Sequence, residues 1–278
     1  MPLPPALLTL PSPTSPVIFE IGPYTLRYYG LFVALGIVAG TWLTGRELAR
    51  KGYDSALAIE SLFFVVPLGL IGARLYYVLA EYDRYAANPF PEILAFWAGG
   101  LEIYGAVAGG IVGVLLFSWY RGISPLVFAD AAAPGVVLGQ AIGRWGDYFN
   151  QELFGRPSNL PWAIRITPEN RPAEYADVTS FHPTFLYESI WDLLVCLALL
   201  WITRRFANRL RDGDILVLYV SLYSVGRFFV ETLRIDPAFL IGGSTRGNLL
   251  VSGVLALGFA LILLLRHLRP PHKRSGSG

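Results

Sequence analysis

Arg74, Arg144 and Arg227 each stand inside a long apolar run. Burying a guanidinium at the centre of a bilayer costs roughly 2.5–3.5 kcal/mol or more, so arginines kept there point to function. Two of them have carboxylates at helical spacing. Asp147 follows Arg144 by three residues; Glu231 follows Arg227 by four, and Arg234 follows it by seven. Such positions share one face of a helix. Arginine pairs bidentately with phosphate, and in an apolar setting a phospholipid headgroup is the most available anion. Ion pairs that only tie helices together would explain any single pair equally well.

The runs that carry these residues define the elements that position them. Of 278 residues, 54% are hydrophobic and 15% charged, against about 25% charged in a typical soluble domain. Apolar stretches of about 18 residues or more read as membrane spans. Seven are expected, at about 28–45, 57–80, 99–119, 125–149, 185–203, 214–233 and 248–266. The expected fold is therefore all-α: a polytopic membrane protein with an irregular or interfacial arm over residues 1–27, a seven-helix domain over 28–268 and a tail over 269–278. The N-terminal MPLPPALLTLPSPTSP has no basic start and is broken by prolines, so no cleavable signal peptide is expected. A polar, turn-rich stretch over residues 150–184 is too polar to span.

Loop charge sets the expected orientation. One set of loops and the C-terminal tail together carry twelve lysines and arginines, and the opposite set carries seven in much longer segments. The richer side should be cytoplasmic, which puts the N-terminus outside and the C-terminus inside. Alternating spans then bring polar residues from seven segments to the outer half of the bilayer. These are Tyr28 and Tyr29; Arg74; Glu102 and Tyr104; Arg144, Asp147 and Asn150; Tyr187 and Glu188; Arg227, Glu231 and Arg234; and Asn248. Asp130 and Glu60 fall in the inner half, where helix packing or an interfacial role suits them. Glycines four apart (Gly105, Gly109 and Gly113; Gly135, Gly139 and Gly143) allow close helix approach.

Other chemistries find little support. The net charge of +2 is too small to suggest nucleic acid. Cys196 is the single cysteine, which excludes a disulfide framework, and it sits among Leu and Val as packing. The chain has no HExxH or CxxC, and of its three histidines His267 and His272 fall at the cytoplasmic end. Neither a metal site nor a Ser-His protease is expected, and no cofactor is expected.

Several stretches resemble a known family. They are LRYYG at 26–30, GARLYYV at 72–78, WAGGLEIYGAVAGG at 97–110, GQAIGRWGDYFNQELFG at 139–155, FHPTFLYES at 181–189 and YSVGRFFVETLRID at 223–236. In this order, over almost the whole chain, they resemble prolipoprotein diacylglyceryl transferase. The resemblance implies an enzyme at the outer face of the bacterial inner membrane. It would move diacylglycerol from phosphatidylglycerol to the lipobox cysteine of a prolipoprotein, giving a thioether and glycerol phosphate. It implies that Arg144 is the family's essential arginine and Glu152 its trailing glutamate. Arg227 and Glu231 match its arginine–glutamate pair, Tyr29 its early tyrosine, and Gly99 and Gly100 the start of its glycine-rich motif.

The chain also departs from that pattern. Tyr104 stands where the family often has histidine, Glu102 where a small residue is common, Asp147 where asparagine is usual, and Phe185 where many members have glutamine. Expected roles are phosphate stabilisation by Arg144 and Arg227, with Arg74 a further candidate, and orientation of Arg227 by Glu231. The base stays open among Glu102, Tyr104 and Asp147. A tyrosine with a pKa near 10 is a poor base unless arginines stabilise its anion. Asn150, His182, Tyr187, Glu188 and Arg234 complete the lipid-binding candidates, with His182 equally readable as part of a turn. The outer stretch is expected to cover the site or receive the peptide. The competing readings are a non-catalytic lipid-binding or lipid-moving member of the fold, in which Asp147 disables the chemistry, and a small-solute transporter. A transporter would want midplane polar residues and an inverted repeat, and neither is evident in the sequence.

Overall fold

A computed structural model describes residues 9–22, 24–82, 85, 92–94, 99–235 and 245–268. The tail, Arg84, His272 and the Trp97–Ala98 start of one motif lie outside the described residues, as does the side chain of Asn248. Seven long helices follow in order: α1 Tyr28–Arg50, α2 Ala56–Ala80, α3 Ile103–Arg121, α4 Pro125–Asn150, α5 Thr184–Arg205, α6 Asp214–Glu231 and α7 Thr245–Leu268. Six are long and apolar enough to cross a membrane. The other, α6, has 18 residues and carries three charged side chains, Asp214, Arg227 and Glu231. The chain is an all-α, multi-pass membrane protein. The third helix starts at Ile103, later than expected, because Gly99 and Gly100 take left-handed backbone angles (φ 89° and 70°).

The helices fall into two compact units, one of residues 41–132 and the other of residues 1–40 and 133–278. In the unit of residues 41–132, α2 and α3 pack backbone to backbone. A side chain added at Gly109 would strike the Leu68 carbonyl, and one at Gly113 would lie 2.8 Å from Val65 Cα. Leu48, Leu57, Phe117, Val127 and Phe128 form the core, with the Phe117 and Phe128 rings 5.2 Å apart. Asp130 pairs with Lys51 at 3.8 Å and Glu60 with Arg121 at 3.2 Å. The third helix stops at Gly122, whose left-handed φ of 64° suits a glycine terminator.

In the other unit, α4 packs on the first half of α1 through glycine. A Cβ at Gly36 would stand 2.8 Å from the Gly139 carbonyl oxygen, and one at Gly40 would stand 2.7 Å from that of Gly135. Helices α4, α5 and α6 are tied by side-chain bonds to neighbouring backbones and amides. Ser189 Oγ donates to the Ala141 carbonyl at 2.8 Å, Cys196 Sγ to that of Pro134 at 3.4 Å, and Tyr219 Oη to Gln140 Oε1 at 3.1 Å. Ser221 reaches across to the Ala256 carbonyl of α7 at 2.9 Å.

The segment joining α4 to α5 is more ordered than its polarity suggests. Strand Ile164–Arg165 pairs with strand Ser180–Phe181, and Leu10 of the N-terminal arm bridges Ile164 in parallel. Phe154, Ile164, Ile166, Phe181 and Phe185 form a small buried core of their own. The arm, expected to be irregular, runs along this sheet from Thr9. It then forms an antiparallel hairpin, strand Val17–Ile21 with strand Tyr24–Arg27, before α1 begins.

Candidate active site

Three helix ends build the site. The last two turns of α4 present Arg144 and Asp147, the last two of α6 present Arg227 and Glu231, and the second turn of α5 presents Glu188. Helices α4 and α5 are antiparallel neighbours through the ordered segment that joins them, so these ends lie on the same side. Gly226 lets α5 and α6 close up. A Cβ there would overlap the Trp191 ring, whose Nε1 donates to the Leu222 carbonyl at 2.9 Å. That contact brings Glu188, three residues before Trp191, to Arg227, the residue after Gly226.

The result is a chain of shared charges. Arg144 Nη1 meets Asp147 Oδ2 at 3.2 Å, and Arg144 Nη2 pairs with Glu188 Oε2. Glu188 Oε1 accepts from Arg227 Nη1 at 2.9 Å, and Arg227 Nη2 pairs with Glu231 Oε2 at 2.7 Å. Glu188 therefore joins the two guanidiniums. The carboxylates are buried while Arg144 and Arg227 keep 18% and 22% of their side-chain surface open, so an approaching anion meets arginine first. Tyr223 and Asp192 stand within electrostatic reach of both arginines. Among the described residues no cluster of three or more His, Cys, Asp and Glu side chains could hold a metal ion.

Around this chain the expected residues take several positions. Tyr29 packs on Gly146, where an added Cβ would lie 2.8 Å from its ring, and it senses the charges of Asp147, Glu152 and Arg144. Asn150 Nδ2 donates to Glu152 Oε1 at 2.9 Å. Glu152 sits between two residues with left-handed backbone, Gln151 (φ 51°) and Leu153 (φ 55°). Side chains rarely adopt that region unless their surroundings hold them there. Gln151 is held from both sides, accepting from the Thr167 amide at 2.8 Å and donating to the Pro13 carbonyl at 3.4 Å. His182 Nδ1 and Tyr187 Oη are 3.1 Å apart, and Tyr187 Oη accepts from Trp162 Nε1 at 2.9 Å. Burial holds His182 below the ordinary histidine range.

Arg234 corrects one expectation. Helix α6 ends at Glu231, so Arg234 does not continue the face of Arg227 and Glu231. Thr232 Oγ1 bonds the Phe229 carbonyl at 2.6 Å, and the chain turns away to bridge Arg234 with Gly155.

Arg74, Gly99, Gly100, Glu102 and Tyr104 form a second group, within the unit of residues 41–132. Arg74 Nε donates to the Ile93 carbonyl at 2.9 Å, and Nη1 to those of Gly99 at 2.8 Å and Gly100 at 3.1 Å. Its guanidinium also faces the Tyr77 and Tyr85 rings. Glu102 caps α3 through its backbone, and the half-exposed Tyr104 ring lies 6.1 Å from that of Tyr76.

A model of the prolipoprotein diacylglyceryl transferase family matches residues 16–265. The chain belongs to that family. Relatives named phosphatidylglycerol–prolipoprotein diacylglyceryl transferase agree. The protein of Frankia alni is 46% identical over 260 residues, covering 92% of this chain and 67% of that protein. That of Gloeobacter violaceus is 44% identical over 237 residues, covering 85% of this chain and 87% of its own length. Transferase 2 of Streptomyces coelicolor is 42% identical over 267 residues, covering 95% and 83%. Within the family match, sequence reasoning missed Asp192, Tyr219, Tyr223, Gln140 and Trp162. Asp192 had a legible signal: it follows Glu188 by four residues inside an apolar run, the spacing already used for Arg227 and Glu231.

Proposed function

We propose that this chain transfers the diacylglyceryl group of phosphatidylglycerol to the lipobox cysteine of a prolipoprotein at the outer face of the bacterial inner membrane. Family membership supports a transferase, and one observation carries the site: Glu188 brings Arg144 and Arg227 to a single place. Loop charge supports a cytoplasmic C-terminus and a site in the outer leaflet.

The phosphodiester displaces carboxylates from the two guanidiniums and takes their donors. The sulfur attacks the diacylglyceryl carbon, a C–S bond forms, and the C–O bond to phosphate breaks. The electron pair leaves with glycerol phosphate, whose charge rises from one negative to two. Arg144 and Arg227 are placed to stabilise that added charge, the larger catalytic term for such a leaving group. A thiol has a pKa of about 8.5 and reacts as the thiolate, so a base must take its proton. Asp147, released from Arg144 by the incoming phosphate, is that base; Glu231 orients Arg227. Tyr29, Asn150 and Glu152 line the lipid headgroup side. The groove of about 950 Å³ between the arm and the joining segment, lined by Ser12, Ser158, Arg165, Thr167 and Ser180 among others, receives the polypeptide beyond the cysteine.

The test is transfer to a lipobox peptide by the purified protein in phosphatidylglycerol vesicles. Arg144→Ala and Arg227→Ala should each abolish or nearly abolish the thioether product while the protein stays in the membrane. Arg209→Ala, at an exposed site between α5 and α6, should be near neutral. Wild-type rates in Arg144→Ala would remove the clamp.

A further inference from the structure

Asp192 has no part in the chemistry just described, yet it sits in the middle of its charges. It lies one turn beyond Glu188 on α5 and is 2% exposed. Within electrostatic reach of it are Arg144 from α4, Arg227, Tyr219 and Tyr223 from α6, and Glu188 from its own helix. Both guanidiniums are nonetheless committed elsewhere: Arg144 to Asp147 and Glu188, Arg227 to Glu188 and Glu231. No described residue hydrogen-bonds Asp192 Oδ2, which is buried. A buried carboxylate without a direct counter-ion is so costly that it takes a proton instead. The charge count points the same way. With every group ionised, the two guanidiniums would face four carboxylates, Asp147, Glu188, Asp192 and Glu231, a surplus of two negative charges that a proton on Asp192 halves.

We propose that Asp192 is held as a neutral carboxylic acid and acts as a positioning residue, sparing the arginine clamp a further negative charge that would oppose an anionic lipid phosphate. The inference rests on the phosphate-clamp reading of the site. Its ionisation releases one proton to water and needs no other reactant. The ionised form adds a negative charge beside the phosphate seat, so lipid binding weakens when pH rises far enough to remove that proton. Asparagine has nearly the same shape, has no proton to lose and keeps the site in its neutral state at every pH.

The experiment uses the full chain in detergent, with infrared spectroscopy and equilibrium binding of short-chain phosphatidylglycerol over a pH series. Wild type should show the carbonyl band of a protonated carboxyl, shifted in D2O, that disappears at high pH and is missing in Asp192→Asn. Over the same interval the wild-type dissociation constant should rise by about tenfold or more, as expected for one added charge a few ångströms from the phosphate. In Asp192→Asn it should stay flat, and Asp192→Glu should restore the rise. In turnover assays the difference should fall on the KM for lipid at high pH. A wild-type spectrum without that band overturns the proposal even if the asparagine variant fails to fold. So does an Asp192→Asn variant whose binding follows pH as wild type does. Absence of transfer, with the band and the binding as expected, would instead count against the reaction assigned to the site.

Discussion

Asp147→Asn should change two kinetic constants in opposite directions. Asp147 lies 3.2 Å from Arg144 Nη1 and is nearly buried. A phosphate oxygen that takes that donor sits about 2.8 Å from the guanidinium, and the displaced carboxylate then stands about 6 Å from it. At an effective dielectric near 20, two like charges at that separation repel by roughly 3 kcal/mol, about a hundredfold in affinity. Asparagine keeps the shape and removes the charge, so KM for phosphatidylglycerol should fall by up to about a hundredfold. The same change removes the base. Positioned bases contribute about 10²–10⁴-fold, so kcat should fall by at least about a hundredfold and lose its acidic limb. The assay is thioether formation on a lipobox peptide across a series of lipid concentrations and pH values. An unchanged or raised kcat would show that Asp147 is not the base. An unchanged KM would show that the phosphate does not seat on Arg144. No transfer by the native chain, with transfer restored by asparagine, would overturn the enzymatic reading itself.

Three further outcomes follow from the same geometry. Gly226→Val should push the Trp191 ring off α6, costing about 1–3 kcal/mol of stability by overpacking, read as a lower thermal midpoint, and separate Glu188 from Arg227; full transfer by the variant would show that this contact does not position the pair. Single cysteines at Glu174, in the exposed part of the segment joining α4 and α5, and at Arg209 should label from opposite sides of intact cells, Glu174 from outside; labelling of Arg209 from outside would reverse the orientation. His182 is held below its ordinary pKa by burial, so the stability that its neutral form brings is present above about pH 6.5 and is lost as pH falls towards the folded pKa. Acid titration should loosen the His182–Tyr187–Trp162 chain and change tryptophan emission, and His182→Gln should remove that change; identical titrations would rule it out.

The helices were legible because apolar runs of span length leave little choice of structure. The pairing of Arg144 with Asp147, and of Arg227 with Glu231, was legible because both partners lie on one helix and the spacing states the contact. Glu188 could be placed only by depth; that it joins the two arginines depends on Gly226 and Trp191, a fit between separate helices that no local pattern records. Arg234 misled for the converse reason. Its spacing suits a helix, but the helix ends at Glu231, where Thr232 turns its hydroxyl back to the Phe229 carbonyl. The segment joining α4 and α5 looked like a loop because its apolar residues, Phe154, Ile164, Ile166 and Phe181, are scattered among turn residues with no helical or strand period. They meet only after the arm and two short strands fold together. Arg74 shows how far a charge alone can be read: its donors meet backbone carbonyls at Ile93, Gly99 and Gly100, acceptors that every residue has and no sequence marks.

The shared carboxylates bear on how such a site can be fast as well as stable. A bare guanidinium among apolar side chains is costly, so Arg144 and Arg227 need partners before any lipid arrives. Asp147, Glu188 and Glu231 supply them. When the phosphodiester enters, it exchanges one set of anionic oxygens for another, and the arginines gain little in the ground state. The gain comes later, as the C–O bond breaks and the phosphate acquires its second charge between guanidiniums already aimed at it. Interactions that strengthen only at that moment lower the barrier, whereas equal binding of substrate and transition state would not. Removing a carboxylate from this chain should therefore tighten lipid binding more readily than it speeds transfer. That asymmetry separates a catalytic clamp from a lipid-binding site built on the same residues.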